Sequence, residues 1–205
     1  MILKDKRLTK RSINALETKN DIFKSALLLF SKYGYDSVTV QDITKHAGVS
    51  KGSFYTHFES KESVFVELFH RIDSHYIETF KKVSPKESAE NKLHIIFYAM
   101  SEYIYNVCGI DAIKVLYASQ ISTSKHVTIL NNKSRPFYSL LNEIVVQGQD
   151  SGEFRNDIKN DELVEFIAKS ARGLVYDWCL YNNSYNLIAE TEKHLNYILY
   201  VLKNK

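Results

Sequence analysis

Apolar residues recur along most of this chain at the spacing of a helix face. Ile22, Phe23, Ala26, Leu27 and Phe30 form one stripe of a 3.6-residue period, closed at Gly34, where a left-handed backbone is inexpensive. Thr39 can accept the amide of a first helical turn, and it precedes a short set at Val40, Ile43 and Ala47 that stops at Gly48. Only Val49 and Ser50 separate that stop from a third segment, Lys51 to Phe58, so two short helices must turn sharply against each other. Such a tight connection is a helix-turn-helix signal. Ser60, Glu62 and Ser63 then open a longer stripe through Val64, Phe65, Leu68, Phe69, Ile72 and Tyr76, running to about Lys82 before Pro85 breaks it.

Beyond Pro85 the chain becomes more apolar and aromatic. Leu93, Ile96, Phe97, Met100 and Ile104 mark one helix and Ile113, Leu116, Tyr117 and Gln120 another, two helices expected to lie antiparallel in contact. Ile121 to Asn132 reads as a loop. Ser134 and Pro136 start a helix carrying Phe137, Leu140, Leu141, Ile144 and Val145, which Gly148 and Gly152 close. Two more stripes follow, Val164 to Trp178 and Leu195 to Leu202. No alternating strand pattern of useful length competes, and 7 Gly and 2 Pro in 205 residues are too few for a sandwich or barrel with frequent turns. The pattern predicts an all-α chain of about nine helices: a flexible basic arm over 1–18, a helix-turn-helix domain over 19–65 and a larger helical domain over 66–205.

Charge sharpens this division. The net charge of +3 conceals an excess of +5 up to Lys61, from 11 Lys+Arg against 6 Asp+Glu, and −2 thereafter. A basic amino-terminal third favours a polyanionic partner. Lys4, Lys6, Arg7, Lys10, Arg11 and Lys19 sit in a stretch with little apolar content, suited either to tracking phosphates or entering a minor groove, or to a plain solvated tail. Cys108 and Cys179 make no disulfide framework or zinc site, the amino end has no apolar run behind its charges, and no 18-residue apolar stretch occurs. A cytoplasmic protein is expected. The seven histidines offer no i, i+4 metal pair and there is no Gly-rich phosphate loop, so neither a cofactor, a metal nor an enzyme is expected.

The stretch 39–62, TVQDITKHAGVSKGSFYTHFESKE, fits a unit that lies on DNA. Val40, Ile43, Ala47, Val49, Phe54 and Phe58 supply a small core that fixes the angle between the two short helices, and Gly48 supplies the turn. Left outward on the third helix are Lys51, Gly52, Ser53, Tyr55, Thr56 and His57, donors without a bulky aliphatic residue, a surface suited to base edges and flanking phosphates. Gly52 would cost roughly 1 kcal/mol in a helix interior, but early in a recognition helix it removes a side chain that would hold the backbone away from the groove.

At these residues the chain resembles the DNA-binding domain of the TetR family of bacterial transcriptional regulators. The match runs from about Asp21 to Leu68 and is strongest over AGVSKGSFYTHFESKESVF, residues 47–65; beyond it only the helix count and the SGEFR segment at 151–155 correspond. The resemblance implies a homodimer on a palindromic operator and repression relieved by a small organic ligand. It places Thr39 and Lys61 on phosphates, with Tyr55 and His57 also on the backbone, Lys51, Ser53 and Thr56 towards bases, and Gln41 as an addition; Ser50 and Gly52 complete the contact set. It also implies a dimer bundle of the last two helices, for which Ala171, Leu174, Leu195, Ile198, Leu199 and Leu202 are the candidates. Phe97, Met100, Tyr103, Tyr117, Gln120, Phe137, Tyr138 and Trp178 are candidate walls of a ligand site, being mostly aromatic rings, four of them with a polar tip. A ligand-independent activator or architectural DNA-binding protein shares every amino-terminal feature; a core filled without a cavity would favour it.

Overall fold

The first helix starts earlier than its apolar stripe. In the computed structural model, which describes residues 9–122, 129–182 and 184–203, Thr9 caps helix α1 (Lys10–Tyr33), its side chain accepting the Ser12 amide. Residues 10–18 are therefore helical and not a flexible arm; residues 1–8 lie outside the described residues. The reason is local: Lys10, Arg11, Ala15, Leu16, Glu17 and Lys19 favour a helix, and with the Thr9 cap they carry α1 towards its amino end without a continuous apolar face to announce it. Ile13 and Leu16 are accordingly exposed.

Eight further α-helices follow: α2 (Val40–Ala47), α3 (Lys51–His57), α4 (Ser63–Phe80), α5 (Ala89–Tyr103), α6 (Gly109–Ser122), α7 (Pro136–Asp150), α8 (Asn160–Leu180) and α9 (Leu187–Leu202). A π-helical turn, Ile104–Cys108, separates α5 from α6, and Gly109 at φ 75° redirects the chain there. No strand occurs among the described residues, in agreement with an all-α class. The chain divides into two compact units, Met1–Glu67 and Leu68–Lys205, and the division falls inside α4.

In the first unit Ile22, Phe23, Ala26 and Phe30 of α1 are buried with Ile43, Phe54, Phe58, Val64 and Phe65. Phe30, Tyr35 and Phe65 form an aromatic triangle with centroids 5.1 to 5.4 Å apart. Val40, Ala47 and Val49, expected in this small core, are half-buried.

In the second unit α5 packs chiefly on α9 and α7, α7 on α8, and α6 on α8. The expected α5–α6 pair is thus not the principal one, because the most apolar face of α5, Leu93, Ile96 and Phe97, is satisfied elsewhere in the bundle. Ile121 and Ser122 close α6, so only part of the expected loop is one; 123–128 lie outside the described residues. Arg135 occupies the N-cap position of α7 without a side-chain capping bond, and Pro136 takes the first helical position; Ser134 turns back to Asn132. Lys92 is buried with its ammonium donating to the Pro85 carbonyl at 3.0 Å and to Gln147 Oε1 at 2.5 Å, so the charge is solvated by the protein itself.

Gly148 does not end α7 but lies within its last turn, where the fully buried Phe154 ring rests on it. A Cβ there would lie 2.2 Å from Phe154 Cδ2, and the Phe154 amide also donates to the Gly148 carbonyl at 2.8 Å, leaving the ring nowhere to go. Alanine would gain about 1 kcal/mol in helix propensity, yet overpacking a closed core costs about 1–3 kcal/mol or more. The clash wins: Gly148→Ala lowers the midpoint of thermal unfolding followed by far-ultraviolet circular dichroism, and an unchanged or raised midpoint would contradict this packing.

Candidate functional site

The recognition surface is built by caps. Thr39 closes a capping box at the start of α2: its hydroxyl accepts the Asp42 amide at 3.2 Å, and Asp42 Oδ2 accepts from the Thr39 amide at 2.9 Å and hydroxyl at 2.6 Å. These bonds hold the Asp42 carboxyl below its ordinary pKa. Gly48 ends α2 at φ 67°, ψ 29°, a left-handed residue that makes the reversal possible. Ser50 then caps α3, accepting the Ser53 amide at 3.1 Å. Phe54 and Phe58 anchor α3 from below, 5.6 Å apart by centroid.

What this leaves outward is the set singled out by sequence. Thr39, Gln41, Ser50, Lys51, Gly52, Tyr55 and Thr56 are exposed, Ser53, His57 and Lys61 half-buried, and none of the ten is sealed in the core. The hydroxyls are not all idle: Thr56 donates to the Gly52 carbonyl at 3.0 Å, and the Ser50 oxygen serves its cap. Lys61 is the most engaged. Its ammonium donates to the carbonyls of Tyr35 at 2.7 Å and Val38 at 2.9 Å and stands 4.1 Å from the Tyr35 ring centroid, so it fastens the α1–α2 connection. Lys19 pairs with Glu67 at 2.6 Å, and His46 shares a 3.0 Å hydrogen bond with Ser25.

The second unit holds an apolar cavity of about 50 Å³, walled by Phe69 and Ile72 of α4, Met100, Ile104, Ile113, Leu116, Tyr117, Phe137, Ala171 and Val175. Of the eight ligand candidates it brings together Met100, Tyr117 and Phe137. Phe97 instead lines a separate open groove of about 300 Å³ between α5 and α9, beside Tyr98, His94 and Glu192. Tyr103 stacks on His75 at 4.7 Å, Trp178 is buried against Tyr105 at 6.1 Å, and Gln120 accepts the Ile129 amide at 2.6 Å. Tyr138 stands outside the wall and reaches it through Arg172, accepting from that guanidinium at 2.7 Å.

Sequence reasoning missed the cavity's charges. Arg135 and Arg172 line it, and Arg135 forms a two-point ion pair with Asp73, Nε to Oδ2 at 3.1 Å and Nη2 to Oδ1 at 2.5 Å. Tyr76 donates to Asp73 Oδ1 at 2.7 Å, and the Arg135 guanidinium lies 4.5 Å from the Phe69 centroid. Burial works against the Arg135 charge, but the Asp73 carboxylate outweighs it and raises the pKa. Burial likewise pushes the Tyr117 hydroxyl up, and that hydroxyl donates to the Arg172 carbonyl at 2.9 Å. An Arg outside any apolar stripe, just before a helix-starting Pro, carries no sequence signal for such a role.

The dimer candidates lie mostly inside the single chain. Ala171, Leu195, Ile198, Leu199 and Leu202 are buried within a single chain, at 0–4% exposure, and Leu174 is half-buried. The most apolar faces of α8 and α9 are taken by the chain's own core, with Ala171 on the cavity wall. Outside lie Phe166, Tyr176 and Leu180 on α8 and Tyr197, Tyr200 and Val201 on α9.

A short capped helix pair presenting a polar third helix defines a helix-turn-helix DNA-binding protein. Comparison with known proteins agrees. Residues 22–68 match the family model for bacterial regulatory proteins of the tetR family, and residues 69–201 match that for the YsiA-like protein C-terminal region. The HTH-type transcriptional repressor DhaR of Mycobacterium sp. (strain GP1) is 28% identical over 152 residues, 72% of this chain and 75% of that protein. The fatty acid metabolism regulator protein of Bacillus subtilis (strain 168) is 22% identical over 188 residues, 90% and 95%. The structure of transcriptional regulator FadR from Bacillus subtilis in complex with stearoyl-CoA superposes with a TM-score of 0.75 at 21% identity, over 89% of this chain and 98% of that one. The chain belongs to the TetR family, which is one of transcriptional regulators and not of enzymes. It is a DNA-binding regulator, and no helix among its described residues is long and apolar enough to cross a membrane.

Lys61→Ala leaves the Tyr35 and Val38 carbonyls without their donor. Unsatisfied groups of this kind cost about 1–3 kcal/mol, so the DNA-free variant unfolds at a lower temperature; an unchanged midpoint would deny Lys61 this structural role.

Proposed function

We propose that the protein is a cytoplasmic, ligand-relieved repressor that binds a palindromic operator as a homodimer and acts by binding, not catalysis. The helix-turn-helix over 19–65 reads the duplex, and 66–205 receives a small organic molecule and carries the dimer face. The observation that carries the reading is that none of the ten residues from Thr39 to Lys61 is consumed by the core, although the helices bearing them are packed and capped.

In this reading Thr39, Tyr55, His57 and Lys61 meet phosphates, whereas Lys51, Ser53, Thr56 and Gln41 face base edges, with Ser50 and Gly52 at the close approach of α3. Two recognition helices must enter major grooves about one turn apart, which requires a twofold partner. The outer faces of α8 and α9 suit that partner. Tyr197 and Tyr200 are 73% and 75% exposed, and among the described residues nothing beyond its own helix backbone and chain neighbours lies within 4 Å of a Cβ built on Gly173. A glycine kept in a helix interior without intrachain crowding fits close approach by another chain's helix. For the ligand, the apolar cavity edged by two arginines suits an apolar chain with an anionic end, the type of molecule that stearoyl-CoA exemplifies in the Bacillus subtilis structure. At about 50 Å³ the space is far below the several hundred Å³ of a typical organic-ligand site, so binding must part its walls.

Two measurements test this. Against a duplex selected from a random library and its scrambled control, Lys61→Ala weakens both alike and lowers the salt slope by about 1. Tyr55→Phe weakens both alike with the slope unchanged, and Ser53→Ala or Thr56→Ala narrows the difference between the two duplexes by about 1 kcal/mol. Failure of the unsubstituted protein to bind any duplex at low salt would overturn the reading. Separately, Tyr197→Asp yields folded monomers in sedimentation velocity, whereas Leu199→Ala destabilises each chain by about 2–5 kcal/mol; a Tyr197→Asp dimer would refute the assigned face.

A further inference from the structure

The Asp73–Arg135 pair is unusual in its setting. Asp73 is 4% exposed and the Arg135 side chain 14%, both in an interior otherwise lined by Phe69, Ile72 and Phe137. A buried ion pair contributes little net stability, because desolvating both charges offsets most of their attraction, and apolar residues of similar volume often do as well. Its distinguishing property is exchangeability: either charge must keep a partner, but the partner can be replaced by another of the same sign. The pair also spans two elements, with Asp73 on α4 and Arg135 at the cap of α7. The α4 helix begins in the helix-turn-helix unit and ends in the ligand-binding unit.

The cavity's charge adds a second, independent observation. Arg172 lines the same space and donates to neutral groups, the Tyr138 hydroxyl at 2.7 Å and the Leu130 carbonyl at 3.5 Å. Two guanidiniums thus face one carboxylate among these contacts, and the surplus positive charge favours an entering anion.

We infer that Asp73 is the resting counter-ion of Arg135, that the anionic end of the ligand takes its place on Arg135, and that this exchange unfastens α4 from α7. The inference rests on the ligand-relieved reading above and adds its switch. No covalent bond changes; one ion pair is traded for another, and the Tyr76 hydroxyl stays with Asp73 to solvate the carboxylate that is left. An effector shifts such an equilibrium only by its differential affinity for the two states. Here that difference comes from the Nε–Nη2 edge of Arg135, which an anion can take in two-point geometry only after Asp73 lets go. A neutral molecule of the same length fills the apolar space without this contact.

The test uses the full-length protein with dodecanoyl-CoA, dodecanoate and dodecanol, binding measured by isothermal titration calorimetry and release by anisotropy of a selected operator duplex. Asp73→Asn keeps the shape and removes the competitor. It raises affinity for the anionic probes by roughly tenfold, within the 5–150-fold span of typical coupling, and leaves dodecanol unchanged. It also weakens ligand-free operator binding several-fold, since the fastening is gone. The double variant Asp73→Asn, Arg135→Met removes both charges, so neither is left buried and alone; it binds dodecanol as before and loses the preference for anions. A gain confined to dodecanoate identifies a chain-terminal carboxylate as the incoming group, and one confined to dodecanoyl-CoA identifies a phosphate. An unchanged anion-to-alcohol ratio in Asp73→Asn, or undiminished ligand-free DNA affinity, overturns the exchange while leaving the ligand site standing. Binding of none of the three probes to any variant overturns the ligand reading and the exchange together.

Discussion

A carboxylate and a guanidinium enclosed together form a constraint that neighbouring residues must respect. Asp73 and Arg135 cannot separate into the apolar surroundings of Phe69, Ile72 and Phe137 without exposing a naked charge to low dielectric, so the middle of α4 and the start of α7 are held in register. The bonds that surround the pair reinforce this: Tyr76 orients the carboxylate, and the Phe69 ring lies against the guanidinium. Hydrophobic burial sets how tightly the second unit packs, but it is less directional than a two-point ion pair. The geometry of that pair gives this part of the bundle a defined position.

The two units derive their order from different sources. In the amino-terminal one the helices are short and their ends dominate; the Thr39–Asp42 box, the left-handed Gly48 and the Ser50 cap determine where each begins and stops. Lys61 adds a tie across the α1–α2 connection. In the carboxyl-terminal unit long helices bury continuous faces, and individual polar groups such as Lys92 are enclosed only because carbonyls and Gln147 solvate them.

This contrast explains what the amino-acid sequence disclosed. Caps and turns are local, so Thr39 and Gly48 could be read directly, together with the residues left outward on α3, whereas the Ser50 cap emerged only from the structure. The early start of α1 was not legible, because Ile13 and Leu16 are too few and too exposed to make an apolar stripe there. Periodicity identified the apolar faces of α8 and α9: Leu195, Ile198 and Leu199 are buried within the single chain, whereas the exposed tyrosines opposite lie outside any apolar stripe. Of the cavity wall, Met100, Tyr117 and Phe137 were legible as aromatic or apolar helix positions. Arg135 and Asp73 were not, since they are 62 residues apart and nothing local links an acid in one helix to a base ahead of another.

The π-helical turn at Ile104–Cys108 gives this chain an uneven tolerance to changes in length. A π turn accommodates more residues than an α turn, so losing one residue there would restore ordinary α geometry and leave the flanking faces nearly in place. The same loss within α5 would rotate everything after it by about 100°, carrying Met100 away from its neighbours. Ile104–Cys108 is therefore a seam at which one residue can be lost while the rest of the bundle keeps its register.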